Sequence, residues 1–345
     1  MKFTTLPNTN LNVSTICLGT MTFGKQNTEA EGHDQINYAL DQGINFIDTA
    51  EMYPVPAQEP TYGATETIIG NWLRKSGRRS DIVLATKIAG PNRGLPFIRD
   101  DLRYNEQTIR ESVEKSLMRL QTDYIDLYQL HWPERKVNFF GQRGFKMEED
   151  HWEDNIRNVL EVIAKLIAEG KIRHVGVSNE SPWGIMRFVE ESKKHNLPRI
   201  TTTQNPYSLV NRTYEMTLAE MAYRENVGLL AYSPMAFGLL SGKYLSDIPD
   251  PKARLNLFPN FARYNSESTR EASRLYHEVA SDFGLSLAQM ALAFVQKQSF
   301  VTSTIIGATN MEQLRENIES ENITLSESII NEIEKVQNRF PDPAP

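Results

Sequence analysis

Cysteine is nearly absent. Cys17 is the only one in 345 residues, so no intrachain disulfide can form, and a reducing compartment is the expected setting. Long apolar runs are missing too. The longest weakly polar stretch, Val227 to Leu240, contains Tyr232, Ser233 and Pro234 and is too short to span a bilayer. The N-terminus, MKFTTLPNTN, has no apolar segment of signal-peptide length. Nor is there an excess of positive charge. The 37 Lys and Arg against 44 Asp and Glu leave a net charge of −7, which argues against a polyanion such as nucleic acid as the partner. These absences set the expectation of a cytoplasmic, soluble protein with neither membrane nor nucleic acid as partner. No stretch marks an assembly surface, so the oligomeric state stays open.

Several motifs are also lacking. No G-x-G-x-x-G follows a strand, no G-x-x-x-x-G-K-[ST] occurs, and there is no Y-x-x-x-K, which disfavours nucleotide sites of the Rossmann or P-loop kind. His33, His131, His151, His174, His195 and His277 show no metal-ligand spacing, so no metal is expected.

What is present is an alternation. Apolar strand candidates occur at Thr15–Gly19, Asn45–Thr49, Ile82–Ile88, Tyr124–Trp132, His174–Ser178, Thr201–Gln204, Val227–Ser233 and Thr302–Ile306. Helical patterns separate them: Glu29–Gln42, Glu66–Arg74, Glu106–Leu120, Asp154–Glu169, Trp183–His195, Glu215–Glu225 and Glu271–Phe283. Met311–Ser320 follows the last strand. Residues 1–14 read as a hairpin turning at Pro7 to Asn10. Such an order favours an α/β closed barrel, with a doubly wound open sheet as the alternative. No linker divides the chain, so one domain over 1–345 is expected. Pro91–Leu102, Pro133–His151 and Lys243–Asn265 exceed a minimal barrel, and all follow strands. The tail Pro341–Pro345 is expected to be extended and poorly ordered.

Strand ends carry the polar residues. Asp48 closes the second strand in GINFIDTAEMYP, with Tyr53 on the loop beyond; Lys87 closes the third and His131 the fourth. Ser178 and Asn179 end the fifth, Gln204 the sixth, and Tyr232 and Ser233 the seventh. Singly, each has an ordinary reading as a cap, a solvated lysine or a satisfied core histidine. Together they face one edge, where barrel active sites assemble. A phenol beside an ammonium is a better proton donor, since the cation favours the phenolate left behind. Lys87 supplies that charge, Asp48 orients it, and His131 can bond a carbonyl oxygen. This set suits protonation of an oxygen gaining charge as hydride reaches its carbon.

On these residues the chain resembles the aldo-keto reductases nearly end to end: LGTMTFG (18–24), GINFIDTAEMY (43–53), ATK (85–87), RLQTDYIDLYQLHWP (119–133), GKIRHVGVSN (170–179), TQNPYSLVNR (203–212), AYSPMAFGLLSGKY (231–244) and IIGATNMEQLRENI (305–318). EMYPVP (51–56) and the extension after HWP resemble the bacterial Tas-like branch in particular. The resemblance implies a (β/α)8 TIM barrel and NADPH-dependent reduction of a small-molecule aldehyde or ketone, with NADH possible. It implies Tyr53 as general acid, tuned by Lys87 and Asp48, and His131 orienting the carbonyl. Ser178, Asn179 and Gln204 match positions that hold the carboxamide of the nicotinamide, and Tyr232 matches the aromatic stacked on its ring. Gly19, Thr20 and Met21 follow the first strand beside the cofactor, and Met21 and Trp132 line the substrate pocket by position. Ser233, Leu239, Ser241 and Lys243 match the pyrophosphate loop. Arg254 is the candidate for the 2′-phosphate, a solvated loop arginine being the alternative. Gly307, Thr309, Gln313, Glu316 and Asn317 match the adenosine end, where a helix N-terminus favours phosphate.

The chain departs from the family pattern twice. Tyr53 precedes Pro54, whereas a second Tyr-Gly occurs at Tyr62-Gly63; and Gln313 stands where many relatives carry arginine. The five-residue spacing from Asp48 favours Tyr53. Phe139, Phe140, Phe145 and Trp152 in or beside 133–151 read either as an aromatic lid or as packing on the rim. A competing reading is an accessory or redox-sensing module that binds cofactor with little turnover, as in potassium-channel β-subunits, which AYSPMAFGLLSGKY and GATNMEQLRENI also resemble.

Overall fold

Each apolar run meets two different surroundings, one on either side of its pleat. Cys17, Phe46, Val83, Ala85, Leu127, Leu230 and Ile305 cluster together inside, while Ile16, Leu18, Ile47, Leu84 and Tyr128 pack outward against helices. Strands buried on both faces are what a parallel sheet covered by helices requires. The computed structural model describes residues 1–147, 150–246, 248, 250–259 and 262–345, the side chain of Ala262 excepted. Parts of the long loops expected at 133–151 and 243–265 lie outside the described residues.

A hairpin of β1 (Phe3–Thr5) and β2 (Asn12–Ser14) precedes the barrel. Its Leu6 and Val13 join the inner apolar cluster and close the amino end. The barrel strands are β3 (Ile16–Gly19), β4 (Phe46–Asp48), β5 (Val83–Ile88), β6 (Ile125–Leu130), β7 (Ile172–Ser178), β8 (Ile200–Pro206), β9 (Gly228–Tyr232) and β10 (Val301–Ile306). They pair in parallel in that order, and β10 closes on β3, giving a (β/α)8 TIM barrel. The open doubly wound sheet is thereby excluded.

The helices follow local rules. Ile156–Ala168 buries Val159, Leu160, Val162, Ile163 and Leu166 along one stripe. Reciprocal caps start two others, Thr28 with Glu31 at Glu29–Asp41 and Asn105 with Thr108 at Glu106–Leu120. In Ala64–Ser76, a Cβ at Gly70 would lie 2.1 Å from the Arg119 carbonyl oxygen, so only glycine permits that close helix crossing.

Four features differ from the sequence expectation, the first being a closing helix, Glu327–Arg339, that was not among the helical patterns. Leu287–Gln296 is a helix that the pattern did not reveal, because it is apolar apart from Gln289 and Gln296 and so has little polar face to mark it. The helix expected over Glu215–Glu225 breaks into Thr213–Thr217 and Ala219–Glu225. The tail 341–345, expected to stand free, is held instead. Ala344 is buried and donates its N–H to the Val210 carbonyl, and the Pro343 and Pro345 carbonyls accept from Thr269 and Arg263. Among the described residues no single helix is long and apolar enough to cross a membrane.

Candidate active site

The apolar interior stops one layer below the carboxyl ends of the strands, and a polar layer replaces it. Asp48 and Lys87 point inward from β4 and β5, fully buried, with Lys87 Nζ 2.6 Å from Asp48 Oδ2 and 2.7 Å from the Thr49 carbonyl oxygen. The other carboxylate oxygen, Oδ1, accepts from Gln129 Nε2 at 3.1 Å and Gln204 Nε2 at 2.9 Å. Thr20 donates both its backbone N–H and its hydroxyl to the Asp48 carbonyl oxygen, which fixes the strand end. Burying two charges is tolerable only when they are paired and their remaining bonds are met, as they are here. Burial opposes the charge on Lys87, yet Asp48 and then Tyr53 outweigh it, so its pKa rises and the ammonium persists. Gln129 went unrecognised in the sequence. Its signal is an amide inside the apolar strand YIDLYQLHW, opposite Lys87 in register.

Above this floor sits Tyr53, with Lys87 Nζ 4.9 Å from the centre of its ring. The His131 ring meets it edge-on at 5.8 Å. Burial raises the Tyr53 pKa and the Lys87 charge only partly offsets this, so the phenol keeps its proton. The ammonium acts in the direction expected from the sequence, and burial is the larger, opposing effect. His131 is driven well below the usual histidine value, first by burial and then by Lys87 and Arg93, so it is neutral; its Nδ1 is buried without a partner among the described residues. Tyr62 is elsewhere. Its hydroxyl accepts from Arg119 at 3.4 Å and its ring abuts Phe97. The Gly63 that follows it is left-handed at φ 76°, and Arg119 packs where a Cβ would go. That Tyr-Gly pair is thus explained by a helix start.

Around the phenol, the strand ends interlock. Asn179 donates to the His131 carbonyl oxygen at 2.9 Å and accepts from the Tyr232 hydroxyl at 2.7 Å, while Ser178 donates to the Gln204 carbonyl oxygen. Gln204 turns its amide onto Asp48, so it belongs to the floor as well as to the rim. After β9, the backbone is left-handed at Ser233, Ala236, Phe237, Gly238 and Gly242, a tight coil around Leu239 and Ser241. Lys243 folds its ammonium against Gly238, where a Cβ would lie 3.2 Å from Nζ. Arg254 reaches the Val55 carbonyl oxygen at 3.2 Å and lies over the Phe237 ring; it is buried, not a solvated loop arginine.

Gly19 and Gly307 end or follow the neighbouring strands β3 and β10. A Cβ on Gly19 would strike Ile305 at 2.7 Å, whereas one on Gly307 would meet nothing nearer than the Gly19 carbonyl oxygen at 4.0 Å, leaving a cradle at that seam. The helix Met311–Glu319 begins beside it, capped by Asn310 on the Gln313 N–H. Gln313 Oε1 takes the Thr309 N–H and hydroxyl, Asn317 donates to the Gly307 carbonyl oxygen, and Glu316 accepts from Ser286. Part of the donor set expected for phosphate is therefore spent on the chain itself. The helix start beside this cradle suits an anionic group, and Lys243 and Arg254 are cations on the loops that follow β9.

Of the pocket candidates, Met21 offers its carbonyl to the Val55 N–H, and Trp132 is buried at 4.9 Å from the His131 ring with its indole N–H on the Pro91 carbonyl. The aromatics of the 133–151 extension divide. Phe139 and Phe140 pack with Trp132, Phe145 is 71% exposed, and Trp152 turns away to Trp183. Two arginines that the sequence did not single out face this region: Arg93 beside Phe140, and Arg263, whose guanidinium lies 3.5 Å from the Tyr232 hydroxyl.

The chain is similar to known proteins along its length. The sequence model of the Aldo/keto reductase family matches residues 15–338. The chain is 49% identical to Protein tas of Escherichia coli over 346 aligned positions, covering all of both chains. It is 34% identical to the oxidoreductase YrpG of Bacillus subtilis, over 99% of this chain and 97% of that one. Norsolorinic acid reductase B of Aspergillus parasiticus is 29% identical over 95% of this chain and 82% of its own.

Proposed function

The chain belongs to the aldo/keto reductase family, in its Tas-like branch, and is an oxidoreductase; from that premise we propose that it is an NADPH-dependent carbonyl reductase with Tyr53 as its acid. Membership brings a nicotinamide cofactor and small-molecule carbonyl substrates at the coarser level. One observation carries the finer reading: a buried, Asp48-held ammonium lies directly beneath a protonated Tyr53, with a neutral His131 at its edge.

Bound at the strand ends, the reduced nicotinamide supplies hydride to the carbonyl carbon. The chain's own residues do the rest. Tyr53 gives its hydroxyl proton to the oxygen, and Lys87 stabilises the phenolate that remains. Asp48 keeps Lys87 in place and is itself kept by Gln129 and Gln204. His131, neutral, donates an N–H to the same oxygen and cannot compete as a cation. Tyr232 is the stacking face for the nicotinamide, and Ser178, Asn179 and Gln204 are the partners for its carboxamide. Gly19, Thr20 and Met21 flank it, Met21 and Trp132 also bordering the substrate. Ser233, Leu239, Ser241 and Lys243 take the pyrophosphate. Gly307, Thr309, Gln313, Glu316 and Asn317 take the adenosine, with Arg254 as the cation for a 2′-phosphate and hence for NADPH over NADH. A relative named for reducing norsolorinic acid supports carbonyl reduction. We read residues 1–345 as one catalytic domain working in the cytoplasm.

The test is NADPH oxidation with an activated aromatic aldehyde. Steady turnover is expected, with NADH used less well. Tight NADPH binding without turnover of any aldehyde or ketone would replace this reading with an accessory cofactor-binding module.

A further inference from the structure

The reacting phenol stands at one end of a continuous aromatic wall. From Tyr53 the wall passes to His131, then to Trp132 at 4.9 Å, then to Phe140 edge-on at 6.4 Å. At its far end is Arg93, its guanidinium 4.7 Å from the Phe140 ring centre and 5.7 Å from that of Phe139. Tyr53 follows β4, and His131 and Trp132 follow β6; the 133–151 loop adds Phe139 and Phe140, and the 91–102 loop sets the cation on them.

Arg93 is exposed, and the chain before it is held. The carbonyl of Pro91 before it accepts from the Trp132 indole, and the side chain of Asn92 donates to the Glu134 carbonyl oxygen. Stacking on a ring face holds a guanidinium while leaving its N–H fork unused. Among the described residues Arg93 forms no ion pair, in contrast to Arg99 on the same loop, which is locked to Glu51. Its charge nevertheless reaches the reacting groups, since it helps depress His131 and is itself acted on by Tyr232. Asp48, the carboxylate of the floor, is already neutralised by Lys87. The wall therefore ends in an unmatched, bidentate-capable cation on the approach to the carbonyl.

We propose that Arg93 is a specificity-determining residue that selects carbonyl substrates bearing a carboxylate, which it binds across the aromatic wall. The proposal rests on the reductase reading above. A flat ring between the carbonyl and the carboxylate suits a wall of edge-on and tilted rings, and a guanidinium fork suits a carboxylate better than a lysine would.

The experiment compares 4-carboxybenzaldehyde with its methyl ester, in the wild type, Arg93→Gln and Arg93→Lys. The wild type is expected to favour the acid by about tenfold in kcat/KM, a preference that falls with added salt. Arg93→Gln should abolish the preference while changing turnover of the ester less than about threefold, and Arg93→Lys should restore part of it. Equal use of acid and ester by the wild type, or a preference that survives Arg93→Gln, overturns the proposal. In parallel, 4-carboxybenzyl alcohol is titrated against tryptophan fluorescence, a readout that needs no turnover. If neither aldehyde is reduced, the reductase reading fails. The carboxylate site is then judged by whether Arg93→Gln weakens that binding about tenfold, as expected, or leaves it unchanged, which overturns it.

Discussion

Asp48 and Glu51 leave the same strand end three residues apart, and both are buried against a cation, but they do different work. Asp48 turns into the barrel and holds Lys87, whose other face is Tyr53. Glu51 turns outward and holds Arg99 of the 91–102 loop, taking also the Ala89 N–H at 2.6 Å and the Ser112 hydroxyl at 2.8 Å. Burial and pairing are alike in the two. What separates them is the cation's second neighbour: a phenol at the mouth of the site in one case, a loop anchor in the other. A buried ion pair becomes a catalytic candidate through what its charge can reach, not through its burial.

The sharpest way to break this comparison is to remove each pair in turn. Lys87→Met should cut kcat by about 10²–10⁴-fold, because Tyr53 loses the charge that stabilises its phenolate, while NADPH binding by fluorescence titration holds. Retained turnover would reduce the Asp48–Lys87 pair to a structural one. Glu51→Ala should do the reverse. It strands Arg99 in the interior and should cost about 3–5 kcal/mol in urea unfolding, with kcat for a neutral aldehyde nearly kept by the folded fraction. A large loss of kcat there would erase the distinction.

The smallest effect expected concerns pH. Tyr53 is raised by burial, so its proton is lost only as pH climbs past the ordinary phenol value near 10; His131, lowered well below the usual 6.5, stays neutral as pH falls through that value. The rate of reduction should therefore be almost flat from about pH 6 to 9 and fall only on the alkaline side. A break near the ordinary histidine value would mean that His131 titrates in the free site.

Much of this was legible in the chain. The two-sided apolar runs led to the barrel, and recurrence of Asp48, Lys87, His131 and Tyr232 at strand ends led to one edge. Other parts were not legible, for physical reasons. Leu287–Gln296 is apolar and buried along most of its length, so little polar face marks it. Gln129 joins the floor only through register with Lys87, which pairing across strands reveals and composition does not. Spacing from Asp48 favours Tyr53 over the rival Tyr62, but that Arg119 engages the Tyr62 hydroxyl is not readable in the chain. The tail 341–345 has a loop-like composition, yet Arg263 and Thr269, distant in sequence, hold its carbonyls.

The central claim is that one of two tyrosines on the same loop is the acid, and it is the one above Lys87. The direct measurement is the single-turnover rate of NADPH oxidation with an activated aromatic aldehyde in Tyr53→Phe and Tyr62→Phe, each saturated with cofactor. The account predicts a loss of about 10²–10⁴-fold in the first and a change of less than about threefold in the second. A collapse in Tyr62→Phe with Tyr53→Phe still active would contradict it.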